Sequence, residues 1–135
     1  MVRSVTLKFY VDFFDVDASG WINGGVYFQY NNRLFEELLR RNEYTLKGLL
    51  EQGYGFPPVH YSIDYRSSCT YGDEIVGTQN VVRVGRSSLE TEFSFTRGSD
   101  ALLCQGRIVR VMTDMREKRA VPIPDDLKER LMKEE

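Results

Sequence analysis

Few side chains in this sequence can do chemistry, and their types narrow what that chemistry is. There is one histidine, His60, and there are two cysteines, Cys69 and Cys104. A tetrahedral structural zinc site needs three or four His and Cys ligands, so these three residues do not supply one. No Gly-x-Ser-x-Gly elbow is present. His60 stands alone on a strand far along the chain, which leaves no Cys-His or Ser-His-Asp set. An enzyme built on this chain has to use a carboxylate. The acidic loop Asp15-Val16-Asp17-Ala18-Ser19-Gly20 offers two. Asp17 is the candidate, because a loop side chain is free to face a ligand. It can act as a general base on water, worth roughly 10²- to 10⁴-fold, or as a nucleophile that forms an anhydride. Asp-x-x-Gly is also ordinary turn chemistry. Asp15 continues the inward-facing set of the preceding strand and is expected to bond loop amides, with a secondary role in orienting Asp17.

Two further groups complete the set. Asn23-Gly24-Gly25 precedes a helical pattern, with Asn23 a favoured N-cap residue. A helix start carries free N–H groups and partial positive charge, so these three residues form a candidate oxyanion site. Glycines there let a substrate approach the backbone closely. Arg86, Ser87 and Ser88, with Arg83, cluster at a turn between two predicted strands. His60 is expected to make a half-buried polar contact, and the two cysteines to be small core residues.

The elements that position these groups follow from periodicity. From Val5 to Phe14 the odd positions are apolar, the period of a strand with one buried face. Val26 to Arg41 has no proline or glycine, and Val26, Tyr30, Leu34 and Leu38 fall on one side with Tyr27, Phe35 and Leu39 nearby. That is a helix of about four turns with a wide apolar stripe. A short helix is predicted over Thr45 to Gln52, ended by Gly53. After Pro57-Pro58, strands are predicted over His60–Ser67, Asp73–Val84, Ser88–Arg97 and Ala101–Thr113, joined by Gly-containing turns. A polar helix from Asp126 to Glu135, with Leu127 and Leu131 as its apolar pair, ends the chain. The pattern predicts one α+β domain over residues 1–135, with an antiparallel sheet of about five strands wrapped around one long helix.

Composition excludes several classes. The chain has 135 residues, and 41% hydrophobic with 28% charged residues is a globular balance. A net charge of −2 argues against a dedicated nucleic-acid binder. No apolar run approaches a membrane span. Two cysteines without a signal peptide point to a cytoplasmic protein with reduced thiols.

The segment Asp15-Val16-Asp17-Ala18-Ser19-Gly20-Trp21-Ile22-Asn23-Gly24-Gly25-Val26-Tyr27-Phe28 resembles the signature of the hotdog-fold acyl-CoA thioesterases of the 4-hydroxybenzoyl-CoA thioesterase-like family. Their typical form is D-x-D, two residues, Gly, a stretch such as H-V-N-N-A, then an aromatic-rich helix. Here Trp21 stands where His is common, and Gly24 replaces the second Asn. Tyr71-Gly72-Asp73-Glu74-Ile75, Val84-Gly85-Arg86-Ser87-Ser88-Leu89 and the ending from Pro122 to Leu131 also resemble that family, in order.

The resemblance implies a hotdog fold and hydrolysis of an acyl-CoA thioester without metal or cofactor. It points to Asp17, the second aspartate of the pair, as the catalytic carboxylate. It implies Trp21 and Tyr27 beside the substrate, and Arg86, Ser87 and Ser88 near the nucleotide end of coenzyme A. It also implies a homodimer, often doubled to a homotetramer, with sites at the interface. A non-catalytic acyl-thioester binding module is the alternative, since the same fold hosts ligand sensors. A hotdog hydratase would need a histidine to accompany Asp17, and none follows it in the loop or helix.

Overall fold

In the computed structural model, which describes residues 3–99 and 101–133, strand β1 (Ser4–Tyr10) buries Val5 and Phe9 on one face. The alternation predicted a strand through Phe14, but the chain leaves it four residues earlier. The Asp12 carboxylate accepts from the Phe13 N–H at 2.6 Å, and the Asp15 carboxylate accepts from the Asp12 N–H at 3.0 Å. These reciprocal caps favour a 3₁₀ turn over Phe13–Asp15 at the expense of the sheet ladder. Phe13 and Phe14 are consequently 64% and 89% exposed.

Helix α1 (Val26–Arg41) buries Tyr27, Tyr30, Leu34, Phe35, Leu38 and Leu39, the predicted stripe, and adds Asn31 to it. Its N-cap position is Gly25 rather than Asn23. Helix α2 (Leu46–Glu51) is capped by the Thr45 hydroxyl, which accepts from the Gly48 N–H at 2.9 Å. Gly53 ends it with a positive φ that a side chain would resist.

The remaining strands are β2 (Tyr54–Gly55), β3 (Pro58–Tyr65), β4 (Glu74–Val84), β5 (Ser88–Arg97), β6 (Ala101–Val111), β7 (Thr113–Asp114) and β8 (Arg119–Ala120). Five of them form an antiparallel sheet in the order β1-β4-β5-β6-β3, and the two-residue strands form a small sheet β2-β7-β8. Ile75, Leu89, Phe93, Phe95 and Ile108 face inward with Val5 and Phe9, and the α1 stripe closes the core against them. A register shift after Phe95 turns both Leu103 and Cys104 into the interior. Helix α3 (Asp125–Met132) buries Leu127 and Leu131; the last two residues of its predicted range, 134–135, lie outside the described residues.

The sheet wrapped around α1 is the hotdog arrangement. Its free edges are β1 and β3. Along β3, His60 is exposed, not half-buried as expected: the register shift between Pro58 and His60 leaves its side chain outside the core. Cys69 and Cys104 are buried free thiols. Among the described residues no helix is long and apolar enough to cross a membrane.

Candidate active site

The amino end of α1 is built by three residues without bulk. The Asn23 carboxamide oxygen accepts from the Gly25 N–H at 3.0 Å, and its main-chain carbonyl accepts from the Val26 N–H at 3.0 Å. The Gly25 carbonyl accepts from the Phe28 N–H at 3.2 Å. Gly25 therefore has no N–H to offer a ligand. The amides of Gly24 and Tyr27 make no hydrogen bond among the described residues. Both border a cleft of about 530 Å³, whose far wall is Tyr65, Arg66, Ser67 and Ser68. The helix dipole adds positive potential at this mouth.

The loop leading into the helix is pinned along its length. The Asp17 N–H donates to the Trp21 carbonyl at 3.1 Å, and the Ile22 N–H to the Cys69 carbonyl at 2.8 Å. The Thr70 hydroxyl donates to the Gly20 carbonyl at 2.6 Å. Asp15 accepts from the Tyr30 hydroxyl at 2.6 Å and from the Asp12 amide, while its carbonyl accepts from the Asn23 N–H at 2.8 Å. Asp17 is exposed. Its Oδ1 accepts from both the amide and the hydroxyl of Ser19. Those bonds, the hydroxyl foremost, hold its carboxyl below the usual aspartate range, so it is ionised at neutral pH. Its Oδ2 is unengaged among the described residues.

The model of the thioesterase-like superfamily matches residues 11–131. The chain belongs to the thioesterase-like superfamily. No curated protein sequence matches it. Among solved structures it is similar to a 1,4-dihydroxy-2-naphthoyl-CoA thioesterase from Synechocystis, with TM-score 0.87 and 19% identity over 95% of each chain. A gentisyl-coenzyme A thioesterase gives TM-score 0.86 and 19% identity, covering 94% of this chain and 99% of that one. A 4-hydroxybenzoyl-CoA thioesterase mutant complexed with 4-hydroxybenzoyl-CoA gives 0.84 and 20%, over 94% and 97%. At these identities the likeness is one of fold.

In this member of the thioesterase-like superfamily the expected residues fall into separate places. Asn23, Gly24, Gly25 and Tyr27 border the cleft, whereas Asp17 and Trp21 lie on the loop outside its wall. Trp21 is 52% exposed and forms a bridge with Thr70. Tyr27 is 1% exposed, its ring against Phe95 and 6.2 Å from the Tyr65 ring, and its hydroxyl is 3.6 Å from the Cys69 sulfur. Arg86, Ser87 and Ser88 are at the other end of the sheet. β4 starts at Glu74 beside Tyr10 and ends ten residues later at Val84, next to their turn, roughly 33 Å away. They do not meet Asp17 within one chain. The sequence reading missed Tyr65, Arg66, Ser67 and Ser68. The alternation Tyr61, Ile63, Tyr65 was visible, but not the contact it makes 41 positions back.

Proposed function

We propose that the protein hydrolyses acyl-CoA thioesters, with the thioester oxygen received by the Gly24 and Tyr27 amides and with Asp17 as the reacting carboxylate. The observation that supports this most is the pair of unengaged N–H groups at the mouth of a cleft on the amino end of α1. Donors of this kind are fixed before charge develops on the oxygen, and each contributes about 3–4 kcal/mol to the transition state.

Two routes use Asp17. As a base it takes a proton from water as the water oxygen bonds to the carbonyl carbon; the C–S bond then breaks and the thiolate leaves. As a nucleophile it attacks the same carbon, expels the thiolate, and forms an anhydride that water cleaves. Its ionised state suits either route. The relatives named for acyl-CoA thioesterase activity support the substrate class.

The working unit in this reading is at least a homodimer, and a homotetramer if two such dimers pair. The free edge of β3 can extend the sheet into a second copy. The turn of Arg86, Ser87 and Ser88 then serves a site on a neighbouring subunit, since its own Asp17 is too far away.

Thiol release across a panel of acyl-CoA esters, with wild type and Asp17→Asn, tests the reading. The substitution keeps shape and removes the charge, so turnover falls at least about 10²-fold with binding retained. Equal rates would exclude Asp17. Because Asp17 stands outside the cleft wall, a non-catalytic acyl-thioester binding module is the second reading, and no release by wild type on any ester would favour it.

A further inference from the structure

A second cleft, of about 420 Å³, opens beside α1, walled by Leu46 and Leu50 of α2 and by residues 55–58. Phe28, Asn32 and Pro58 line it, and the Phe28 ring meets Tyr61 edge to face at 5.1 Å. Gly25 and Asn32 are seven residues apart, so it lies roughly 10 Å along α1 from the candidate active site. Its walls are mainly apolar, but it is also lined by Arg110 of β6.

Arg110 is 5% exposed. Its guanidinium lies over the Phe35 ring at 4.3 Å, donates from Nη1 to the Phe56 carbonyl at 3.1 Å, and from Nη2 to the Asn32 carboxamide oxygen at 2.7 Å. Its Nε is buried and has no partner among the described residues. Among the described residues no carboxylate is within ion-pair distance of it; Arg33 and Glu36, which also line the cleft, are exposed and make no ion pair among those residues. Arg97, Arg107 and Arg130 all have acids beside them and are far more exposed, at 45%, 48% and 22% of their side chains. The most deeply buried of these cations is thus the one left with neutral partners. Burial lowers its pKa to about 10, which keeps it charged at neutral pH. An unpaired buried charge is costly, and a guanidinium is shaped to receive a carboxylate.

We propose that this cleft receives a carboxylate, and that the carboxylate is the far end of the acyl group whose thioester lies at Gly24 and Tyr27. The proposal rests on the hydrolase reading above. The substrate class is then acyl groups bearing a second, distal acid, long enough to pass Phe28 and Tyr61. Arg110 supplies the charge, and the Asn32 amide nitrogen, unengaged among the described residues, is a second donor. A carboxylate from a second copy of the chain is the competing occupant, and it would leave no room for a free acid.

The test compares straight-chain acyl-CoA esters with ω-carboxyacyl-CoA esters of matched length, using wild type, Arg110→Gln and Arg110→Lys. Calorimetry on the free dicarboxylic and monocarboxylic acids runs beside it. The expected kcat/KM preference for the carboxylated ester is at least about tenfold, with a similar preference in acid binding. The preference falls to near one in Arg110→Gln and is partly retained in Arg110→Lys; because a ratio is read, loss of folded protein does not imitate the result. If wild type hydrolyses both esters equally and binds both acids equally, the carboxylate site is overturned and the hydrolase reading stands. If it hydrolyses neither yet binds the dicarboxylic acid through Arg110, the hydrolase reading fails and the site is supported.

Discussion

The Tyr65 hydroxyl donates to the Gly24 carbonyl at 2.9 Å, joining the end of the edge strand to the turn that opens α1. A Cβ at position 24 would sit 2.7 Å from that hydroxyl oxygen. The bare backbone at position 24 leaves room for that hydroxyl, and the contact joins the two walls of the cleft.

Gly24→Ala has to push the Tyr65 ring aside, which breaks the bond from its hydroxyl to the Gly24 carbonyl. We expect kcat/KM for thioester hydrolysis to fall about tenfold or more. In a Tyr65→Ala background the same substitution has room, so its further effect is small. A double-mutant cycle in activity reads this coupling directly; additive losses would show that the contact does not shape the site.

Both Ser19 groups stabilise the charged form of Asp17, which depresses its pKa. Activity carried by ionised Asp17 is present above that pKa and lost as pH falls through it. The acid limb of kcat/KM is thus expected below the ordinary aspartate value. Ser19→Ala removes the hydroxyl donor, raises the pKa, and moves that limb to higher pH. An unmoved limb in the pH profile would mean that another group sets it.

The helix stripe and the inward residues of β5 were legible because a single period runs through each without interruption. Residues 11–15 were not, because Asp12 and Asp15 cap a turn whose local bonds outcompete the ladder that Phe13 would have joined. The start of α1 was legible as a helix beginning, but which amides stay free depends on how Asn23 folds back on Gly25. Tyr65 could not be matched to Gly24 because the pairing runs across 41 positions. Arg110 did leave a signal: it occupies the inward alternate between Ile108 and Met112, where a charged residue needs a reason.

Another inward polar residue makes a stability prediction. Thr91 is 1% exposed, and its hydroxyl has no partner. It shares the core with the Asn31–Gln79 pair, in which the Gln79 side-chain nitrogen donates to Asn31 twice, at 3.2 Å each. Thr91→Val keeps the shape and removes the unpaired group, so unfolding free energy should rise by about 1 kcal/mol. Gln79→Leu removes the donor to the Asn31 carboxamide oxygen together with a Gln79 Oε1 that is itself buried without a partner among the described residues, so the net fall should be small, about 1 kcal/mol. Urea midpoints with an unchanged m-value separate the two signs.

Asp15 ties the start of the acidic loop to α1 in two ways, through its carboxylate to Tyr30 and through its carbonyl to the Asn23 amide. Tyr30 is buried and its ring stacks on Phe9 at 4.5 Å, so the anchor belongs to the rigid core. Tyr30→Phe removes only the hydroxyl and leaves the stack. The lost bond is to a charged group, so stability should fall by about 1.5–3 kcal/mol. If the anchor also fixes Asp17, kcat drops several-fold while KM holds, because the loop and not the cleft wall has loosened. A variant that is less stable but turns over normally would confine Asp15 to a structural role, with the bonds to Trp21 and Thr70 sufficient to hold Asp17.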